Sequence, residues 1–413
     1  MDRLTKNRKL YAGAAFVALL LALGVGQMVI DSVSAQAKQA PRFEVDPFWP
    51  KTMPNNWVMG MTIGIGISAD DHVWVIHRGN DPGNLDRTEL AVVKEGAPRV
   101  GECCNPAPPV LEFDAAGNLV GSWGGQPKDN SYDWPESNHG IVVDHKGFVW
   151  IGGNGGPDAH ILKFTRDGKF VAQYGKKNAR LKEGSTGDKP VYVPNSMDMN
   201  NFGRVAKIFI DPKANEGYVA DGYFNKRVAV IDLDSGKIKR FWGAYGQPPD
   251  DTPIGPYDPA APVAKQFRTP VHCAERANDG LVYVCDRPND RLQIFTSEGK
   301  FVKEVFVAKE TRADGSVWDV AFSKDPEQRF LYMADGVNEH VRVFDRQSME
   351  ELYNFGYGGR QPGMFLGVHS IAVDSKGNIY TTETYTGKRL QKFTAKGLGG
   401  IPKSGMVPWP TGQ

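Results

Sequence analysis

Short apolar runs separated by polar turns recur along the whole chain. Runs such as "HGIVVDHKGFVWIGG" and "HSIAVDSKGNIYTTE" have alternating or β-branched apolar residues on both sides of a turn rich in Asp, Gly, Asn or Lys. This is the pattern of a β-hairpin. Apolar residues at helical spacing are almost absent. The pattern therefore predicts an all-β protein built from hairpins.

The hairpins are of two alternating kinds, which we call heads and tails. Each of six heads precedes a tail of strand, turn and strand, as in "ILKFTRDGKFVAQYG" and "LQIFTSEGKFVKEVF". A head and its tail form a four-stranded unit. Units of this kind indicate radial repetition, because each unit needs neighbours to cover its faces. We therefore predict a six-bladed β-propeller.

The two ends of the chain complement each other. The last tail, "LQKFTAKG", lacks an outer strand, whereas "RFEVD" at 42–46 is a strand-like run without a partner. We expect this N-terminal run to complete the sixth blade and close the ring, which removes an exposed edge. Residues 41–413 then form one domain, with insertions at about 79–109, 176–200 and 244–266.

Charge and composition exclude one class of partner. The 413 residues are 40% hydrophobic and 23% charged, and the formal net charge is +1. These values are ordinary for a globular protein, and no basic stripe is present to neutralise phosphates. We therefore expect no nucleic-acid partner, and a monomer that acts on a small-molecule or peptide substrate.

The N-terminus has the features of an export signal. A basic start, "MDRLTKNRKL", precedes an apolar stretch and the small residues of "SVSAQA". Residues 1–37 are therefore either a signal peptide cleaved near Ala35 or Ala37, or a membrane anchor through 11–30. In both cases we expect the rest of the chain outside the cytosol, periplasmic or secreted, with membrane contact only through the anchor.

Four cysteines agree with an oxidising compartment. Cys273 and Cys285 flank the turn of one hairpin and face each other, so they could form a bridge. Cys103 and Cys104 are adjacent, and could be reduced, linked to each other or a pair of metal ligands. Packed free thiols are the simpler alternative.

Three heads begin with histidine at the same position of the repeat. They are the second, fourth and sixth heads, which begin at His139, His272 and His369. Alternate blades of a six-fold ring are related by a third of a turn, so the three rings should converge on the propeller axis. The odd heads have apolar residues at this position, namely Ile63, Ala206 and Trp318.

Converging imidazoles without a fourth protein ligand are typical of a catalytic zinc site. The alternative is three buried or channel-lining histidines satisfied by backbone and water. Four other histidines do not share the repeat position and are expected at the surface: His72, His145, His160 and His340.

Six short segments resemble a known family. They read "VIHRGN" at 75–80, "NHGI", "TPVHC" and "GVHS" at the three histidines, "VADGYFNKR" at 219–227 and "VCDRPNDRLQIF" at 284–295. Over nearly all of 41–413 the chain resembles the lyase domain of peptide-amidating enzymes, peptidyl-α-hydroxyglycine α-amidating lyase. The resemblance implies NHL-like propeller repeats, zinc on the three histidines and three catalytic residues: Tyr223, Arg78 and Arg287.

The chemistry of that family suits these residues. Its reaction splits the C–N bond of a carbinolamide into an amide and glyoxylate. Zinc can polarise the hydroxyl oxygen, and an ionised tyrosine, favoured by nearby guanidinium groups, can remove the hydroxyl proton. Alternatively, the tyrosine only packs in a turn, and the arginines form salt bridges to carboxylates at the ends of the heads: Asp221, Asp286 and Asp335.

The resemblance also implies calcium on the axis, with backbone carbonyl ligands from Ile65 and Ile141. The family has an aspartate after the last zinc histidine, where this chain has Ser370. A calcium site here would therefore have fewer acidic ligands. The half-cystine that follows the family's catalytic tyrosine is Phe224 in this chain.

Two classes of function remain open. The first is an exported zinc-dependent lyase that cleaves an α-hydroxyglycine-type amide and releases an amide and glyoxylate. The second is a non-catalytic exported propeller that binds protein or carbohydrate through its rim loops. Because propellers serve both purposes, the fold does not decide between them.

Overall fold

The computed structural model describes residues 38–410, apart from 80, 82, 93–95 and 186–188. In this part of the chain the regular elements are strands, with two 3₁₀ turns at Ala244–Gly246 and Arg287–Asn289. No helix there is long and apolar enough to cross a membrane. The segment 1–37, on which the export prediction rests, lies outside the described residues.

Strands β1 (Gln39–Asp46) and β2 (Trp57–Val58) precede blade one. Blade one contains β3 (Thr62–Ile67), β4 (Val73–His77), β6 (Val110–Phe113) and β7 (Leu119–Trp123). The short strand β5 (Asn105–Pro106) lies between β4 and β6 in the chain and outside this sheet. Blade two contains β8 (Asn138–Val143), β9 (Val149–Gly153), β10 (His160–Phe164) and β11 (Phe170–Gly175). Blade three contains β12 (Val205–Asp211), β13 (Glu216–Asp221), β14 (Arg227–Asp232) and β15 (Ile238–Trp242).

Blade four contains β16 (Val271–Arg276), β17 (Val282–Asp286), β18 (Arg291–Phe295) and β19 (Phe301–Phe306). Blade five contains β20 (Asp319–Phe322), β21 (Phe330–Asp335), β22 (His340–Asp345) and β23 (Glu350–Phe355). Blade six contains β24 (Val368–Val373), β25 (Ile379–Glu383) and β26 (Leu390–Gly400), with β1 as its fourth strand. Each blade is an antiparallel sheet, and the short strands β2 and β5 pair in parallel.

The innermost strands form the ring. Strand β3 contacts β8, and contacts continue through β12, β16, β20 and β24, which returns to β3. This cyclic order confirms the predicted six-bladed all-β propeller. The core is divided among the interfaces between neighbouring blades, because each sheet packs against the preceding blade on one face and the following blade on the other.

The N-terminal strand closes the ring as predicted. Strand β1 pairs antiparallel with β26, from Gln39 opposite Gly400 to Asp46 opposite Lys392. Its apolar side chains Phe43 and Val45 are buried in the cluster between blades five and six. The two ends of the described chain therefore form one sheet, which leaves no unpaired edge on β26.

A β-bulge marks the histidine position of the repeat. In five blades the pairing of the first two strands shifts register at this position, as between Asn138 and Ile141 or between Val368 and Ile371. A bulge bends the strand and re-aims a side chain. In the remaining blade, β20 begins just after the equivalent residue, Trp318. The bulges thus turn one residue of each of these strands out of the regular alternation.

All four cysteines are joined in two disulfides, Cys273–Cys285 and Cys103–Cys104. The first pair lies directly opposite on β16 and β17, as the hairpin symmetry predicted.

One prediction of a surface histidine is wrong. His160 begins β10 and is buried, and its Nε2 lies 2.7 Å from the carbonyl oxygen of Asp133.

Candidate metal centre and active site

Three imidazole rings meet on the propeller axis. Their ring centroids lie 4.8 to 5.2 Å apart, and one nitrogen of each lies within 4.8 Å of the others. All three side chains are buried: His139, His272 and His369. The shared repeat position therefore brings together the residues that the sequence selected.

Each imidazole is held by a carbonyl of the following odd blade. The Nδ1 atoms of His139, His272 and His369 lie 2.6, 2.5 and 2.7 Å from three carbonyl oxygens: those of Ala206, Trp318 and Ile63. A carbonyl only accepts hydrogen bonds, so every Nδ1 has the proton and every Nε2 of the neutral ring has a lone pair. This is the arrangement that orients histidines as metal ligands.

Burial also keeps these rings uncharged. It lowers the pKa of each of the three histidines well below the usual range, and the positive charges of nearby guanidinium groups act in the same direction. Neutral imidazole is the form that binds a metal ion. Three Nε2 donors with one further oxygen nearby fit a tetrahedral zinc ion.

The nearby oxygen belongs to Tyr223, in the turn after β13. Its Oη lies 2.9 Å from Nε2 of His139 and 3.1 Å from Nε2 of His272. Because both Nε2 atoms are acceptors, the phenol donates to one of them. A tyrosine that only packed in its turn would not place its hydroxyl on the propeller axis, so the geometry favours a role in the site.

Burial raises the pKa of Tyr223, whereas the charges of Arg287 and Arg78 lower it. The effect of desolvation is the larger one, so with the protein groups alone the phenol stays protonated. We expected the guanidinium groups to favour the ionised form. They do act in that direction, but they need a further positive charge to outweigh burial.

Arg287 lies beside the tyrosine and over an aromatic ring. Its Nη1 is 3.4 Å from Oη of Tyr223, and its guanidinium carbon lies 4.4 Å from the ring centroid of Trp318. Its Nη2 donates to Asp314 at 3.3 Å, while its buried Nε has no hydrogen-bond partner among the described residues. One N–H of this buried cation is therefore without an acceptor among the described residues.

Arg78 approaches from blade one. Its Nε donates to the carbonyl oxygen of Asn138 at 3.0 Å, and its Nη2 donates to Oδ1 of Asn154 at 2.7 Å. The neighbouring His77 holds this turn, since its Nδ1 accepts from the backbone N–H of Gly79 at 2.9 Å. These contacts fix the guanidinium group next to the blade that provides the first histidine.

Neither arginine pairs with the carboxylates at the ends of the heads. Those carboxylates form ion pairs with the third strand of their own blade: Asp221–Arg227, Asp286–Arg291 and Asp335–Arg342. The N–O distances are 2.7 to 2.8 Å. The predicted partners of Arg78 and Arg287 are therefore wrong: the two arginines lie instead 3.9 Å from Asp81 and 3.3 Å from Asp314. The recurring pair is a structural feature of the blades.

Two residues at the site were missed from the sequence. Oη of Tyr385 donates to Asp314 at 2.7 Å, and Asp314 also accepts from Arg287. Tyr385 in "TETYTGKR" has the same place in blade six as Tyr223 in "ADGYFNKR" of blade three. Alignment of the repeats could have revealed the tyrosine. Asp314 lies in a loop outside the repeat, where no pattern marks it.

An open cavity of about 730 Å³ adjoins the site. Arg287 forms part of its wall, together with Arg268, Arg312, Tyr257 and Phe224. Much of the remaining wall comes from the insertion at 244–266. The cavity leaves space for the part of a substrate that extends away from the three histidines.

The donors expected for calcium lie on the other side of the histidines. Ile65 and Ile141 line an axial cavity of about 280 Å³, together with Lys207 and Glu275. The ammonium group of Lys207 contacts the carboxylates of both Glu275 and Asp319. Because a cationic side chain already occupies the acidic groups, this donor set does not fit calcium.

No protein-family model matches the chain. It is 25% identical over 271 residues to peptidyl-glycine alpha-amidating monooxygenase A of Xenopus laevis, which is 65% of this chain and 24% of that protein. It is 22% identical over 345 residues to peptidyl-glycine alpha-amidating monooxygenase of Mus musculus, which is 81% of this chain and 30% of that protein. The match thus spans less than a third of these relatives.

Two solved structures are similar in shape. A streptogramin B lyase has a TM-score of 0.48 at 13% identity and covers 86% of this chain and 98% of its own. Virginiamycin B lyase from Staphylococcus aureus has a TM-score of 0.44 at 13% identity, with 87% and 89% covered. In sequence, the chain is weakly similar to one segment of peptidyl-glycine alpha-amidating monooxygenases, which are enzymes.

Proposed function

We propose that this protein is a zinc-dependent lyase that cleaves the C–N bond of an α-hydroxyglycine-type amide. The observation that carries the proposal is the meeting of three neutral Nε2 atoms with the Oη of Tyr223, beside a buried guanidinium group. The sequence similarity to peptidyl-glycine alpha-amidating monooxygenases supports it. A binding scaffold would have no use for this buried arrangement.

The reaction needs no co-reactant. The substrate hydroxyl loses its proton, its oxygen forms the carbonyl of glyoxylate, and the C–N electron pair moves to nitrogen. The nitrogen then takes up a proton and leaves as a primary amide. The chain must therefore provide a base for the hydroxyl, a cation for the carboxylate of the substrate, and a site that excludes water.

Tyr223 is the proposed base, since its Oη faces the point to which the three histidines direct their lone pairs. Zinc bound there supplies Lewis-acid polarisation of the substrate hydroxyl. Ionisation of the phenol is opposed by burial, and Arg287 and Arg78 offset part of that cost. Ionisation of Tyr223 thus depends on both guanidinium groups and on the positive charge of the metal ion that the three histidines would bind. The same oxygen can return the proton to the leaving nitrogen.

Arg287 is the proposed anchor for the substrate carboxylate. Its Nε is buried without a partner, and a carboxylate satisfies such a donor with a charge-assisted hydrogen bond. Because Arg287 also contacts Tyr223, the anchored substrate is placed next to the base. The acyl end of the amide then extends into the cavity lined by Arg268 and Phe224.

The decisive assay is glyoxylate release from a small N-acyl-α-hydroxyglycine. We expect zinc-loaded protein to release glyoxylate, a chelator to stop the release, and added zinc to restore it. Elemental analysis should show one zinc per chain, and His272→Ala should lower both zinc content and turnover. Full zinc content with no release above buffer would reject the lyase and leave the metal site in place.

A further inference from the structure

The axis below the three histidines contains an ion pair that joins several blades. Lys207 on β12 extends its ammonium group towards the centre of the ring, and 14% of its side chain is exposed. Its Nζ lies 2.7 and 2.9 Å from the two carboxylate oxygens of Asp319 and 2.9 Å from Oε1 of Glu275. These carboxylates belong to blades five and four.

The backbone of blade six joins the same cluster. Asp319, whose side chain is 1% exposed, accepts a hydrogen bond from the N–H of Ile371 at 3.0 Å, in addition to Lys207. One ammonium group and two carboxylates thereby connect blades three, four, five and six. The cavity beneath is lined by all six innermost strands, so the cluster lies on the propeller axis.

We propose that Lys207 is a built-in cation that takes the place of a divalent metal on the propeller axis and makes the fold independent of calcium. The proposal rests on the contacts of Lys207 and does not depend on the reaction at the three histidines.

The geometry around the ammonium group resembles the inner part of a calcium site. Three carboxylate oxygens from two residues lie within 2.9 Å of Nζ. Calcium binds oxygen at about 2.3–2.6 Å, so a small movement of these carboxylates would suit the ion if the ammonium group were absent. Ser370 adds no free ligand, because its Oγ donates to the carbonyl oxygen of Ile63 at 2.7 Å.

The first test is calcium binding by the wild-type chain and by Lys207→Ala, measured by equilibrium dialysis against CaCl₂ at about 1 mM, the range of weak extracellular sites. We expect no calcium on the wild type and close to one ion per chain on Lys207→Ala. Two controls sharpen the result. Lys207→Met removes the charge but fills the space, and Lys324→Ala removes another lysine of the same cavity without freeing the two carboxylates. Neither should bind calcium.

The second test is thermal unfolding of the same variants with CaCl₂ or with MgCl₂ of equal ionic strength. Leaving Asp319 and Glu275 without their partner should lower the Tm of Lys207→Ala by roughly 5 °C. Calcium, but not magnesium, should restore at least about 2 °C of that loss. Addition of Asp319→Asn to Lys207→Ala should abolish the calcium response.

Stoichiometric calcium on the wild-type chain, or a wild-type Tm that rises with calcium, would overturn the proposal. Failure of folded Lys207→Ala to bind calcium would overturn it as well. If Lys207→Ala folds only when calcium is present during refolding, that result supports the proposal, and the wild-type measurements still test it. Zinc content and glyoxylate release are measured separately, so this proposal and the proposed function can fail independently.

Discussion

Each of the three axial histidines is oriented by a backbone carbonyl of the next blade. The acceptors are the carbonyls of Ile63, Ala206 and Trp318, which occupy the histidine position in the odd blades. The repeat pattern therefore predicted which positions meet on the axis. It did not predict the contact itself, because a backbone carbonyl has no signature in the sequence. Around the propeller, blades that provide a histidine alternate with blades that provide the carbonyl group orienting it.

The axial position of Lys207 could not be predicted from the sequence. In "RVAKIFI" a lysine within a strand has the appearance of an outward-facing charge. The bulge between Val205 and Lys207 changes which residues face the axis, and it leaves the apolar pattern of the hairpin intact. Tyr223 and Arg287, by contrast, could be found because the motifs around them were recognisable.

Tyr223→Phe should reduce lyase turnover by about 100 to 10,000-fold while leaving zinc bound, because only the proton acceptor is lost. Arg78→Ala should cost a comparable factor, since it leaves the phenol harder to ionise. The double variant should be far from additive, because the two residues act together. Glyoxylate release and elemental analysis measure these effects.

Tyr385→Phe is the matched control for the tyrosine. It removes a hydroxyl from the same repeat position in blade six, where the hydroxyl contacts Asp314 rather than the histidines. We expect less than about a tenfold effect on turnover, much smaller than the loss of a general base. Normal activity of Tyr223→Phe together with an inactive Tyr385→Phe would transfer the role of base to Tyr385.

His77 should make stability depend on pH. Burial lowers the pKa of His77 from 6.5 to about 4, so the unfolded chain takes up a proton before the native one. This contribution is complete above about pH 6.5 and is lost as the pH falls towards 4. It amounts to about 3 kcal/mol of unfolding free energy. Denaturant unfolding of metal-free protein at several pH values measures the loss.

His77→Gln keeps a donor for Pro108 and an acceptor for Gly79 without a titrating group. Its unfolding free energy should therefore fall less steeply than that of the wild type between pH 6.5 and 4. The slopes should differ by the uptake of up to one proton on unfolding. Parallel curves for the two proteins would contradict the assignment. The three axial histidines remain in both proteins, so their contribution to the pH dependence cancels in the comparison.

At the scale of elements, strand β1 shows what the hairpin pattern can predict. The pattern identified 42–46 as the missing strand, and β1 pairs with β26 as expected. The bounds were less accurate, since β26 continues to Gly400 through a stretch with little apolar character. Pairing with β1 keeps that stretch extended, and such a tertiary effect is not visible in local sequence.

Removal of β1 should weaken the whole ring. A chain beginning at Pro47 loses the buried side chains of Phe43 and Val45 and exposes the edge of β26. Each lost side chain costs about 1.5–3 kcal/mol, so we expect a Tm lower by about 10 °C, and aggregation through the free edge.

A chain beginning at Lys38 is the control for that deletion. It keeps β1 complete and should have the Tm of the full-length protein in the same buffer. Calorimetry and light scattering compare the two truncated proteins. If both are equally stable, β1 contributes little to ring closure.

At the scale of the whole molecule, we propose that residues 1–37 direct export. Sequencing the N-terminus of the native protein separates the two forms of this proposal. A start near Gln36 or Lys38 indicates a cleaved signal, and an intact Met1 in the membrane fraction indicates an anchor. An intact N-terminus in the soluble cytosolic fraction would contradict both.

Distribution of the ligands over alternate blades has a consequence for maturation. His139 and His369 lie far apart in the sequence, and the blade that contains His369 is complete only when β1 joins β26. No partly synthesised chain therefore has the complete proposed metal site, which forms only when the last blade has closed. Nitrogen donors alone do not discriminate strongly among late first-row metals. If the site binds metal as proposed, the ions present where the ring closes, rather than those present where the chain is translated, determine which metal occupies it.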